Sequence, residues 1–73
     1  MQSPAPIRFS RLPEVCRQTG LSRTHIYRLE ARGLFPHRVK LGVGASVSCA
    51  SAWIESEVQQ WCADRIAESR GDA

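Results

Sequence analysis

Three features of the 73-residue sequence predict a mainly α fold with a small β-hairpin, arranged as a winged helix–turn–helix. Two amphipathic helix patterns follow each other with only a glycine-containing turn between them. A segment in which every second residue is apolar comes next, and a third amphipathic helix pattern follows it. We assign the domain to residues 8–68, with a disordered lead at 1–7 and a disordered tail at 69–73.

The first helix is predicted over about residues 11–18. Leu12, Val15 and Cys16 have the i, i+3, i+4 spacing of a buried helix face. Pro13 fits a first turn, because the backbone N–H that it lacks would have no helical partner there. Gly20 ends this helix and lets the chain bend sharply.

The second helix is predicted over residues 23–32, with Ser22 capping its start and Gly33 just past its end. A helical projection places Ser22, Ile26, Leu29 and Gly33 on one side and Thr24, Tyr27, Arg28 and Ala31 on the other. The second group lies away from the core. Its composition favours contact with a partner, and the alternative is an ordinary solvated face.

A β-hairpin is predicted after Phe35-Pro36, where Val39, Leu41, Val43, Ala45, Val47 and Cys49 alternate with small or polar residues. Gly42 and Gly44 can form the turn, so Val39 and Leu41 belong to one arm and Val47 and Cys49 to the other. Two interpretations of the uncharged segment stay open. It pairs with a second copy, giving a homodimer or a DNA-bound oligomer, or it is a poorly ordered loop.

The third helix is predicted over about residues 56–68, with Val58, Trp61, Cys62 and Ile66 on its apolar side. The Ser56…Gln59 spacing is typical of a capping box. Trp53 and Ile54 precede this helix and are expected to help close the core. Core packing is likewise favoured for Trp61 over stacking on nucleic-acid bases.

Positive charge is concentrated in the first part of the chain. Residues 1–40 contain eight Lys and Arg against two Glu, whereas residues 41–73 contain two Arg against five acidic residues. This asymmetry favours a polyanionic partner. Three widely spaced cysteines and the lack of a signal-peptide or bilayer-length apolar segment predict a cytoplasmic location, close to the nucleoid.

Helix–turn–helix domains place their second helix in the major groove of DNA. Arg28 can donate two hydrogen bonds to a guanine, and Thr24 can bond a base or a phosphate. Tyr27 and Arg23 are suited to phosphates, the latter because it lies at the positive end of the helix. His25 is a further candidate for a phosphate contact.

The segments RLPEVCRQTGLSRTHIYRLEARGLFPHRVKLG (11–42) and WIESEVQQWCADRI (53–66) resemble the AlpA family of prophage transcriptional regulators. That family is itself similar to excisionases and to the DNA-binding domain of MerR-type proteins. The resemblance implies sequence-specific binding of double-stranded DNA, with the recognition helix at 23–32 and the wing at 38–52. The expected DNA-binding residues are Ser22, Arg23, Thr24, His25, Tyr27, Arg28, Arg32, Arg38 and Lys40.

The sequence departs from the family in the wing. Ten uncharged residues, VGASVSCASA, separate Gly42 from Trp53, whereas the family usually has a shorter connection with a basic residue near its tip. A phosphate contact by this wing tip is therefore not implied.

No catalytic residues, metal ligands or cofactor are expected. Cys16 with His25 and Cys49 with His37 are the available thiol–imidazole combinations; Cys16 falls on the buried stripe and nothing near Cys49 would activate its thiol. The histidines and cysteines lack the close pairs of structural zinc sites. The alternatives to a transcriptional regulator are an excisionase and a small protein-interaction adaptor that does not bind DNA.

Overall fold

The computed structural model describes residues 6–42 and 50–71. Its elements are β1 (Phe9–Ser10), α1 (Leu12–Thr19), α2 (Arg23–Ala31), β2 (Val39–Lys40), β3 (Ser51–Ile54) and α3 (Glu55–Ser69). The fold is mainly helical with a small antiparallel sheet that includes a β-hairpin. Of the expected lead 1–7 the structure describes residues 6–7, and of the expected tail 69–73 it describes residues 69–71, where α3 extends to Ser69. The domain limits 8–68 stay a prediction.

The predicted bounds of α1 and α2 agree with the structure to within one residue. α1 ends at Gly20, whose φ of 76° is left-handed and whose N–H donates to the carbonyl of Cys16. α2 begins after Ser22, whose hydroxyl accepts a hydrogen bond from the backbone N–H of His25. Gly33 has a φ of 72°. The predicted turn, cap and stop residues are therefore confirmed.

The sheet has the strand order β1-β3-β2, and all its pairs are antiparallel. β1 was not predicted from the sequence. Phe9 lies opposite Ile54 and Ser10 opposite Trp53. Two residues are too few to show the alternation by which a strand is recognised, so β1 exists because β3 offers it a pairing partner.

The hairpin is confirmed at its base, where Val39 lies opposite Ala52 and Lys40 opposite Ser51. The second arm includes β3, which was not part of the predicted arm; the predicted arm residues Val47 and Cys49 lie outside the described residues. Burial explains the role of β3, because it contains Ala52 and Trp53, both buried in the core, and the strand that buries a tryptophan fixes the register. The predicted turn and the pairing with a second copy fall on residues 43–49, outside the described residues.

α3 starts one residue earlier than predicted, and its capping box was wrong. Its N-cap is Ile54, which makes no side-chain cap hydrogen bond, and Ser56 is already helical. The reason is that β3 leads directly into α3, with no connecting residue for a cap. Ile66 is 53% exposed, so the apolar side of α3 that reaches the core consists of Val58, Trp61 and Cys62.

The core consists of residues from all three helices, β3 and the α2–β2 connection: Val15, Ile26, Phe35, Trp53 and Val58. The indole N–H groups of two tryptophans form hydrogen bonds to that connection. Trp53 Nε1 donates to the carbonyl of Pro36 at 2.9 Å, and Trp61 Nε1 donates to the carbonyl of Leu34 at 2.8 Å. The core role predicted for both tryptophans is confirmed, with Trp61 only partly buried. Across residues 6–42 and 50–71, no helix is long and apolar enough to cross a membrane.

Candidate nucleic-acid interface

The predicted outer face of α2 lies on the surface. Thr24, Arg28 and Ala31 are exposed, and Tyr27 is 38% exposed, while Ile26 on the opposite side is fully buried. The short side chains of Thr24 and Ala31 lie beside the long Arg28. This composition leaves room for a partner surface to approach the helix closely.

One flank of this face is lined by Ser22, Thr24, His25, Arg28, Leu29 and Arg32, around a shallow cleft of about 280 Å³. His25 and Arg32 are exposed there. Ser22 has a structural role, since its hydroxyl accepts the capping hydrogen bond from the His25 N–H at 3.2 Å.

The other flank of α2 faces the base of the hairpin. Tyr27, Ala31, Arg38 and Lys40 line a cleft of about 590 Å³ there, together with Glu30 and His37. The structure therefore brings the residues predicted on β2 and its approach beside those predicted on α2. Lys40 is exposed on this surface.

Glu30 holds Arg38 in place, a relationship that the sequence analysis missed. Glu30 is 7% exposed, and its Oε2 accepts a hydrogen bond from the Arg38 backbone N–H at 2.8 Å. The guanidinium of Arg38 lies 3.7 Å from Glu30 Oε1 and 4.8 Å from the centre of the Tyr27 ring. Arg38 is thus oriented by a carboxylate and an aromatic face while its side chain stays 43% exposed.

A signal for this role of Glu30 was present in the sequence. Glu30 follows Ile26 by four residues and so belongs to the same side of the helix. An acidic residue on a buried side needs a partner, and the nearby arginines Arg28 and Arg32 point elsewhere, into the cleft on the far flank.

Arg11 also lines the candidate site, although it was not among the expected DNA-binding residues. It lines a cleft of about 730 Å³ together with Arg23, Tyr27 and Arg38. From the sequence, Arg11 was assigned only to the start of α1. The fold brings it to the same cleft as Arg23 and Arg38. Nothing in the local pattern around residue 11 indicates it.

The surface around α2 is strongly cationic. Among the described residues that line its three clefts, Glu30 is the only acidic one, against the basic residues Arg11, Arg23, Arg28, Arg32, Arg38 and Lys40. The described residues contain no group of three or more His, Cys, Asp and Glu placed to hold a metal ion. The arrangement suits a polyanion that follows the helix and the hairpin base.

Comparison with known proteins agrees with the resemblance seen in the sequence. The family model described as the prophage CP4-57 regulatory protein (AlpA) matches residues 8–66. The uncharacterized protein ORF88 of Enterobacteria phage P4 is 46% identical over 77 residues, which cover 89% of this chain and 82% of that protein. No solved structure is a match. The matched length, almost the whole of the described fold, shows that this chain belongs to the AlpA family of prophage regulatory proteins.

Proposed function

We propose that the protein is a sequence-specific DNA-binding regulator of a prophage or another mobile element. In this proposal α1 and α2 form a helix–turn–helix, α2 enters the major groove, and the hairpin of β2 and β3 acts as the wing. The observation that supports it most directly is the outer face of α2. That face is free of the core and is flanked on both sides by arginines.

The proposed roles follow from position on α2. Thr24 and Arg28, at the middle of the exposed face, contact base edges, with Arg28 donating two hydrogen bonds to a guanine. On the hairpin side, phosphates of one DNA strand are contacted by Arg23, Tyr27, Arg38 and Lys40. The residues on the other flank, His25 and Arg32, contact the backbone across the groove. Ser22 acts through the helix cap, which fixes the direction of the first turn.

A transcriptional regulator is favoured over an adaptor protein by the size and uniformity of the cationic surface. An acidic protein partner would require a few matched ion pairs, whereas here six basic residues surround one buried carboxylate. An excisionase would use the same contacts, so that alternative differs only in where the bound site lies. Binding is favoured over catalysis because Cys16 packs against the core while His25 lies on the exposed flank of α2.

Selection of bound fragments from a pool of genomic duplexes tests the proposal. We expect enrichment of a short site and a log–log salt dependence with a slope of roughly −0.9 per phosphate contact. Sites that overlap a promoter support regulation of transcription, whereas sites beside the recombination ends of the element support excision. Failure to retain any duplex at low salt would falsify the proposed function.

A further inference from the structure

We infer that Arg11 completes a phosphate-binding cleft with Arg23, Tyr27 and Arg38, and that this cleft holds one backbone phosphate of the bound duplex. The inference rests on the proposed function, because it takes its ligand from the DNA. It adds a residue from α1's start that neither the sequence pattern nor the family resemblance assigns.

The cleft carries concentrated positive charge. Three guanidinium groups, those of Arg11, Arg23 and Arg38, line a single cleft of about 730 Å³. Within the described residues no carboxylate forms an ion pair with Arg11 or Arg23, and Glu30 lies close only to Arg38. The cleft therefore has an excess of positive charge, which an anion would relieve.

The cleft also has an apolar lining. Leu12, Pro13 and Trp53 contribute apolar lining, and Trp53 is fully buried beneath it. A charged group that is bound against apolar surface is screened less by water, so each guanidinium attracts it more strongly. Arginine suits such a site because its planar fork can donate two parallel hydrogen bonds to phosphate oxygens.

The start of α1 lies at the cleft, since Arg11 is the N-cap of this helix. A guanidinium has only hydrogen-bond donors, so the Arg11 side chain cannot cap the free N–H groups of α1. The positive end of the helix dipole adds to the attraction for an anion beside it.

The cleft lies next to the outer face of α2. Arg23 and Tyr27 line the cleft, and the next residues along the chain, Thr24 and Arg28, lie roughly 100° further round the helix axis. A phosphate in the cleft would thus lie beside the base edges that Thr24 and Arg28 reach. This is the relation expected between a backbone contact and a base contact in the same groove.

The test compares Arg11→Ala with Arg70→Ala. Arg70 is the C-cap of α3 and lines none of the three clefts around α2. Its substitution by alanine therefore removes one positive charge, as Arg11→Ala does, but leaves the cleft intact. For Arg11→Ala we expect weaker binding of specific and random duplexes by the same factor, and a salt slope reduced by less than the roughly 0.9 of a whole phosphate contact, because Arg23 and Arg38 stay in the cleft. Arg70→Ala should leave both unchanged, and Arg11→Lys should restore most of the slope.

A neutral-backbone probe locates the contact. Methylphosphonate is placed at each phosphate of the selected site in turn, and binding is measured for both proteins. For one position we expect the substitution to weaken wild-type binding more than it weakens binding by Arg11→Ala, in which only Arg23 and Arg38 still attract that phosphate. Thermal melts should show equal stability, since the Arg11 side chain is exposed and forms no ion pair with a described residue.

The two possible failures are distinct. If wild-type protein retains no duplex, the proposed function fails together with the cleft. If wild-type protein binds and Arg11→Ala matches Arg70→Ala in slope and in the methylphosphonate scan, the cleft inference is overturned and the proposed function stands.

Discussion

Glu30 joins α2 to the hairpin through Arg38. Its Oε2 accepts a hydrogen bond from the Arg38 backbone N–H at 2.8 Å, and its Oε1 lies 3.7 Å from the Arg38 Nε. Because Glu30 belongs to α2 and Arg38 directly precedes β2, the carboxylate fixes where the hairpin starts relative to the helix. A buried acidic group thus helps to build a cationic surface.

Glu30→Ala should destabilise the fold by about 1–3 kcal/mol, because the backbone N–H of Arg38 loses its acceptor in a part-buried position. Glu30→Gln keeps an acceptor oxygen and should lose less. Urea denaturation followed by circular dichroism measures the difference. Arg38→Ala is the control, since it removes the guanidinium and leaves the backbone hydrogen bond; an equal loss for that variant would assign the effect to the ion pair.

Arg28→Ala should weaken binding to the selected site by about 1–3 kcal/mol and relax the base preference at one position. The reason is that a guanidinium bonded to a guanine discriminates between base pairs. Titration of the selected duplex and of duplexes altered at each position measures both effects. Equal losses on specific and random DNA would argue against a base-reading role.

Lys40→Ala should weaken binding to all sequences to a similar extent and flatten the salt slope by about one unit. Lys40 is exposed on β2, where it can neutralise a phosphate without reaching a base. Fluorescence anisotropy over a series of salt concentrations gives the slope. A loss confined to the selected site would instead indicate that Lys40 reads sequence.

Gly20→Ala should destabilise the fold by about 1–2 kcal/mol. The backbone at this position is left-handed, with a φ of 76°, and this conformation is unfavourable in free energy for residues that have a Cβ atom. Steric overlap is not the cause, since a Cβ built at Gly20 meets nothing within 4 Å. Gly20→Asn should lose less, as asparagine tolerates this conformation better. Thermal unfolding of the two variants tests the order, and a reversed order would contradict it.

Stability should fall slightly in acid through Glu14. The Arg17 guanidinium donates a hydrogen bond to the Glu14 carboxylate and attracts it, which holds the pKa of Glu14 below its usual value of 4.5. The stabilisation is therefore complete above the unfolded pKa and is lost as pH falls through the folded pKa. The effect is small because the pair is exposed. Unfolding from about pH 6 to pH 3 should show a weaker pH dependence for Glu14→Gln than for wild type.

The helices could be predicted from sequence because their signals are local. Ser22, Gly20 and Gly33 each act within one turn of the residue that they cap or end. The outer face of α2 followed from the same periodicity, since Ile26 marks the buried side and Arg28 the opposite one.

The strands could not be predicted as well, because pairing is decided by contacts between distant residues. The alternation from Val39 to Cys49 indicated a hairpin, but it did not indicate that β3 at residues 51–54, which contains the buried Trp53, pairs with Val39 and Lys40. Arg11 was missed for a similar reason. Its place beside Arg23 and Arg38 depends on how α1, α2 and the hairpin base pack together, which no short sequence pattern records.

The hairpin is anchored at its base, where Val39 lies opposite Ala52, while Trp53 fixes Pro36 on the approach to β2. Changes in the number of residues between Lys40 and Ser51 therefore leave the arginines around α2 where they are. Closing a longer loop costs little, about 0.6 kcal/mol for each doubling of its length. The number of residues between β2 and β3 can therefore vary with little effect on the cationic surface around α2.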